Sequence, residues 1–324
     1  MCRPRVVGGL LVMLAAAVLL AGPAGAQDRY PSRPITAIVP MNPGGGTDLV
    51  GRAFAEALKK PLGQNIVVEN VPGAGSAIGT TKLHDSRPDG YTLGVVGGFL
   101  VSTSLQGQAK FPATDLTHVA RLSQETFVLA VRADAPWKSL AEFLDASRKD
   151  PGKITVGTAG AGALTHLAAE ALNQKTGAKL NIIHFAGGAK EITAVLGGHV
   201  SGGIFSQIEV LPYSSAEAKL RTLAVFSEKR TEKLPAVPTL KEVGIEGVPS
   251  GPWQGIAAPK AIPDPMKAAL VDAASKASQD PAWLDFLSKN GLTPAFLAGP
   301  ELDAFIAQEI ETIGGLLKAV GLLK

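Results

Sequence analysis

Short apolar runs and helix-spaced apolar positions alternate along most of this chain. Ile35-Thr-Ala-Ile-Val39 predicts a buried strand, residues 40–46 a loop ending in three glycines, and Thr47-Asp48 the start of a helix. That helix carries Leu49, Val50, Ala53, Phe54, Ala57 and Leu58 at helical spacing as far as Lys60. The unit recurs at residues 153–156, with a glycine loop at 157–162 and a helix bearing Leu164, Leu167, Ala168, Ala171 and Leu172. A third copy of the pattern is the strand 65–69, the loop 70–76 and a helix running through Leu83. Glycines in such turns bring main-chain N–H groups close to a ligand, and the free first-turn donors of the following helix favour an anion.

Further strands are predicted at 91–96, 127–131, 181–185 and 220–226, with a break at 97–99 before residues 100–105 and another at Gly187-Gly188 before a short helix at 190–196. Ser139-x-x-Glu142 and Thr239-x-x-Glu242 have the capping-box spacing that opens a helix. Beyond Pro263 the pattern is helical, at 266–278, 282–290 and 302–317, and residues 251–255 read as a return connection. Strands alternating with helices imply an α/β protein whose sheets are mostly parallel. The expected organisation is residues 27–131 as the first part of lobe 1, 132–252 as lobe 2, and 253–324 as the return to lobe 1. Two crossover segments would then form a hinge, and the loops after the first strand of each lobe would face one cleft.

A chain of 324 residues, 46% hydrophobic and 18% charged, has material for two cores. The N-terminus reads as a secretory signal over residues 1–26, with Arg3 and Arg5 ahead of an apolar core at 6–20 and Ala24-Gly-Ala26 as a small-residue cleavage site. A soluble exported protein is therefore expected. Cys2, the only cysteine, lies inside that signal, so the mature chain offers no disulfide, zinc–thiolate site or cysteine nucleophile. Removing residues 1–26 leaves 29 Lys+Arg against 28 Asp+Glu, which gives nucleic-acid binding no electrostatic support.

Nucleotide chemistry finds no motif. The phosphate loop Gly-x-x-x-x-Gly-Lys-Ser/Thr is missing, and the dinucleotide spacing begun at Gly73 and Gly160 reaches Ile78 and Thr165 where a third glycine belongs. Ser76 lacks the spacing of a hydrolase elbow. His166 and Glu170 lie one helical turn apart, a spacing that permits a metal but is read first as a helix-surface pair or a cap. Asp48, at the start of a helix, is first a capping group and second a candidate carboxylate at the site. Trp253 is open to two readings, a cleft wall or packing at the lobe junction. Neither a cofactor nor a metal site nor a catalytic set is expected.

Several ordered motifs together resemble one family. Residues 30–35 (Tyr-Pro-Ser-Arg-Pro-Ile), Pro-Gly-Gly-Gly-Thr-Asp ending at Asp48, residues 68–75 (Val-Glu-Asn-Val-Pro-Gly-Ala-Gly), 88–93 (Pro-Asp-Gly-Tyr-Thr-Leu) and 235–240 (Pro-Ala-Val-Pro-Thr-Leu) are similar to the periplasmic receptors of tripartite tricarboxylate transporters, the Bug proteins. The resemblance covers nearly the whole mature chain. It implies a type II periplasmic-binding-protein fold with two α/β lobes, capture of a carboxylate ligand by main-chain donors, and delivery to a two-subunit membrane permease. By position it places the ligand at Gly44, Gly45, Gly46 and Asp48 in the first lobe, and at Thr158, Ala159, Gly160 and Gly162 in the second. Thr165 and Ser206 add hydroxyls near the second lobe's cleft face. A monomer is expected. Two alternatives share this pattern: an exported enzyme acting on a small acid, and a carboxylate sensor for a signalling membrane protein.

Overall fold

In the computed structural model, which describes residues 30–214 and 218–323, the first apolar run forms strand β1 (Ile35–Val39). The glycine loop leads it into helix α1 (Gly46–Leu62). This helix runs two residues beyond its expected end, accommodates Pro61 in its last turn, and stops at Gly63, whose φ of +65° is the left-handed geometry glycine adopts without cost. Strand β1 pairs in parallel with β2 (Ile66–Asn70) and β3 (Thr92–Gly97). Between these strands lie helices α2 (Ala77–His84) and, after β3, α3 (Gly98–Leu105). Three antiparallel pairings complete the sheet, through β4 (Leu116–Gln124), β10 (Trp253–Pro259) and β11 (Thr293–Leu297), in the order β11-β4-β10-β3-β1-β2.

The second sheet is ordered β7-β6-β8-β5-β9. Its parallel part is β6 (Thr155–Thr158) between β7 (Asn181–His184) and β8 (Gly202–Ser206), and β5 (Phe127–Arg132) pairs antiparallel with β8 and with β9 (Leu220–Val225). Helices α4 (Leu140–Lys149), α5 (Leu164–Thr176), α6 (Gly188–Leu196) and the single turn α7 (Gln207–Val210) connect these strands. The expected boundary after residue 131 is thereby corrected. Strand β5 belongs to the second sheet, because its apolar residues, all buried, pair with β8 and β9. The change of sheet falls at Glu125-Thr126, and the return at Gly251-Pro252. These two crossings lie side by side: Glu125 N donates to Pro252 O (2.8 Å) and Phe127 N to Ser250 O (2.7 Å).

Helices α8 (Asp264–Ala277) and α9 (Pro281–Lys289) cover the outer face of α1. Phe54 of α1 meets Trp283 of α9 edge-on at 5.0 Å, with both side chains fully buried. Truncating an aromatic in such a place costs about 3–5 kcal/mol, so this contact is a principal anchor of the helix that aims the first glycine loop. The last helix, α10 (Gly299–Ala319), buries Leu302, Ile306, Ile313 and Leu317 on one stripe and passes through Gly314-Gly315 without interruption. The Ser139 box forms with a shift: Glu142 N donates to Ser139 Oγ, while the Glu142 carboxylate accepts from Lys138 N. Among the described residues no helix is long and apolar enough to cross a membrane. The signal assigned to residues 1–26, including Cys2, lies outside the described residues.

Candidate functional site

Three strand-to-helix turns bring three helix starts to one cleft between the sheets. The walls include Gly45, Gly46 and Thr47 at the start of α1, Ala163, Leu164 and Thr165 at the start of α5, and Gly187, Gly188 and Ala189 at the start of α6. The cleft encloses about 630 Å³ of space, part of it open to solvent. The N–H groups of Thr47, Thr165 and Ala189 have no acceptor among the described residues. First-turn donors of this kind carry the positive end of each helix dipole, equivalent to roughly half a charge per helix. Among the described residues no lysine or arginine lines the cleft, and Glu209 is its only acidic side chain. The rest of the wall is mostly apolar, from Met41, Phe99, Phe127, Ala159 and Pro252, with Asn42 and Ser206 as its further polar side chains.

The ten residues expected here divide into two groups. Gly45, Gly46, Ala159, Thr165 and Ser206 line the cleft. Gly44, Asp48, Thr158, Gly160 and Gly162 stand behind it and shape its loops. Asp48 is buried, and its carboxylate accepts from Gly44 N at 2.9 Å, Arg52 Nε at 3.0 Å and Asn70 Nδ2 at 2.7 Å. Burial works to raise its pKa, but these donors together hold it below the usual aspartate value. Asn70 in turn donates to Met41 O at 3.1 Å, so one network of side chains fixes the loop from residue 41 to 44.

In the second lobe, Thr158 Oγ1 meets His184 Nδ1 at 2.8 Å, and Thr165 Oγ1 accepts from Ala159 N at 3.0 Å, which closes the loop back on its own helix. Gly160, with φ +155°, makes the turn between them. Gly162 N donates to His166 Nδ1 at 2.9 Å. His166 therefore caps the loop. Burial, and then the neighbouring His184, push its pKa down to about 4, so the ring is neutral with Nδ1 as acceptor. Its Nε2 lies 3.6 Å from Glu170, and among the described residues no set of three metal-ligating side chains comes together. Trp253 is buried at the junction with α10, where Nε1 donates to Glu309 at 2.7 Å and the ring packs edge-on against Phe305.

Sequence reasoning passed over Asn42, the start of α6 and Glu209. Asn42 Nδ2 donates to Ala186 O across the cleft, and Ser102 of α3 donates to Gly162 O. Glu209 belongs to α7 and forms a capping box with Ser206, its Oε2 accepting from Ser206 N at 3.2 Å. Its Oε1 also reaches the other lobe and accepts from Gly46 N at 3.0 Å. The first strand-loop-helix unit thus already holds a carboxylate on its main chain, supplied by the protein itself. Burial raises the Glu209 pKa, against the two N–H donors. The Gly187-Gly188 break after β7 repeats the strand–glycine–helix pattern, and Ser206-x-x-Glu209 has the capping spacing, so both signals were present in the sequence.

The sequence pattern of the family described as Tripartite tricarboxylate transporter family receptor matches residues 50–322. A protein from the gbd 5′ region of Cupriavidus necator is 34% identical over 98% of this chain and 96% of its own length. The protein BugT of Bordetella pertussis is 32% identical over 93% of each chain. Among solved structures, a TctC solute-binding protein from Polaromonas, with no ligand, is 39% identical with a TM-score of 0.66 over 90% of this chain and 99% of its own. MatC from Rhodopseudomonas palustris with bound malate is 28% identical with a TM-score of 0.81 over 90% and 100%. The R. palustris protein Rpa4515 with adipate is 25% identical with a TM-score of 0.85 over 90% and 98%. With two mixed sheets flanked by helices, a cleft of helix starts between them, and this breadth of sequence match, the chain belongs to the tripartite tricarboxylate transporter receptor family.

Proposed function

We propose that this protein is a periplasmic receptor that captures a small organic carboxylate between its lobes and hands the closed complex to a two-subunit membrane permease. The observation that carries the reading is the convergence of three helix starts on a cleft that, among the described residues, has no lysine or arginine in its wall. Main-chain donors alone hold an anion there, and Gly46 N already does so for Glu209. Binding needs nothing covalent. A few charge-assisted hydrogen bonds, each worth about 1.5–3 kcal/mol net, less the cost of ordering, reach micromolar affinity, about −8 kcal/mol.

Lobe closure has support in the comparisons. The lobes of this chain match the malate- and adipate-containing relatives more closely than the ligand-free Polaromonas protein, although identity runs the other way. Bonds between Asn42 and Ala186, Ser102 and Gly162, and Gly46 and Glu209 hold this arrangement. The lobes we assign are residues 30–124 with 253–323, and 127–250, joined at the paired crossings.

The test is the thermal midpoint of the mature protein against a panel of carboxylic acids and their uncharged amides, since a ligand bound only by the native state raises that midpoint. An upward shift with an acid and none with its amide is expected. Gly45→Val should abolish the shift while the protein still folds, because a Cβ at Gly45 meets nothing closer than Glu209 Oε1 at 3.5 Å. A shift of equal size with the amide, or an unchanged response in Gly45→Val, would refute capture at this cleft.

A further inference from the structure

The carboxyl group of Glu209 lies between two of the three helix starts. Its Oε1 takes the Gly46 N–H of α1, and a Cβ at Gly188 of α6 would fall 2.1 Å from the same atom. Two more buried carboxyl groups stand close by. Glu125, on the first crossing, has its Oε2 without a partner and 3.5 Å from where a Cβ on Gly46 would sit. Glu191, on α6, has neither oxygen paired. Burial drives both upward, Glu125 to about 8, and each is raised further by Glu209. Glu209 differs in having a main-chain donor on each oxygen. Burial raises Glu209 as well, but with an N–H on each oxygen both carboxyl oxygens act as acceptors, the arrangement of an ionised carboxylate.

Three helix starts supply roughly one and a half positive charges. The Glu209 carboxylate cancels one of them, and no basic side chain in the cleft adds to the remainder. The remainder is less than one unit charge, so nothing offsets a second ionised end on the ligand. Beyond the helix starts the wall is mostly apolar, from Met41, Phe99, Phe127 and Pro252; its other polar side chains, Asn42 and Ser206, are engaged with Ala186 O and in the Glu209 capping box, and neither carries a positive charge for a second ionised end.

Building on the carboxylate reading above, we infer that Glu209 sets the charge class of the ligand, so that the cleft takes a monocarboxylate with an apolar body and rejects the matching dicarboxylate. The residue acts by like-charge repulsion, and an ionised group brought beside it in a desolvated cleft is expected to lose roughly a hundredfold in affinity.

Calorimetric titration of the full mature protein with hexanoate, adipate and adipate monomethyl ester tests this. Hexanoate and the monoester should bind within about threefold of each other, and adipate at least tenfold more weakly. In Glu209→Gln, which keeps an acceptor for Gly46 N but carries no charge, the hexanoate-to-adipate ratio should fall at least tenfold. Glu191→Gln, a change in the same cluster but outside the cleft wall, should leave the ratio within about threefold. Adipate binding as tightly as hexanoate in the wild type, or an unchanged ratio in Glu209→Gln, overturns the inference. The ester comparison needs no variant and decides the point even where Glu209→Gln fails to fold. Failure of all three ligands to bind wild type would instead overturn the carboxylate reading, and this inference with it.

Discussion

Replacing Asp48 with alanine separates a residue that builds the site from one that touches the ligand. The side chain is buried at the start of α1 and accepts three hydrogen bonds, from Gly44 N, Arg52 Nε and Asn70 Nδ2. The Arg52 side chain is about half exposed, so that pair contributes no more than about 1 kcal/mol. The other two are bonds to a buried charge, worth about 1.5–3 kcal/mol each. Asp48→Ala should then cost about 3–6 kcal/mol, read as a lower urea midpoint at unchanged m-value near pH 7. Arg52→Ala should cost under about 1 kcal/mol. Because Gly44 N is released in Asp48→Ala, the loop that aims Gly45 and Gly46 loosens, and acid binding should fall at least tenfold in the variant that remains folded. A stability loss below about 1 kcal/mol accompanied by complete loss of binding would refute the reasoning, since it would mean that Asp48 meets the ligand directly and does not hold the loop.

Two further outcomes follow from buried groups. Glu125 has its folded pKa raised from 4.5 to about 8 by burial. Its contribution to stability is fully present below about pH 4.5 and is lost as pH rises through about 8. Wild type should lose up to about 5 kcal/mol of unfolding free energy from this group across that window, and Glu125→Gln should flatten the slope; equal slopes in urea melts at pH 5 and pH 8.5 would refute the assignment. Gly79→Ala should destabilise by about 3 kcal/mol, because the new Cβ would lie 2.5 Å from Val71 O and 2.7 Å from Pro40 Cα, both backbone atoms that cannot swing away. A thermal midpoint within about 2 °C of wild type would refute that packing.

The parts of the fold readable in sequence were those whose cause is local. Strand β1, the glycine loop and α1 announce themselves because a five-residue apolar run meets an amphipathic helix, and β6 with α5 repeats the signal. Strands β4, β8, β10 and β11 went unread. Strand β8 opens on Gly202-Gly203 and is only five residues long, and β11 carries Pro294 on a sheet edge. Strand β10 is buried along its whole length between β3 and β4, so it shows no alternation, and its place depends on partners far away in the chain. For the same reason β5 was assigned to the wrong sheet: its sequence requires burial on both faces and is silent about which neighbours supply it.

Asp48 and Glu209 show where local reading stops. Each is a carboxylate in the first turn of a helix, and each gives the same signal of an acid near free N–H donors. Asp48 is turned back by Arg52 and Asn70, the latter on a strand 22 residues away, and becomes the brace of its own loop. Glu209, with a longer side chain on a four-residue helix, reaches a donor 163 residues away in the opposite lobe. Side-chain length and the end of the helix are visible in sequence, but the nearness of Gly46 is a product of how two sheets pack. A carboxylate at a helix start is therefore a cap when its own loop supplies further donors. It becomes a determinant of what the cleft accepts when the nearest unclaimed donor belongs to the other lobe.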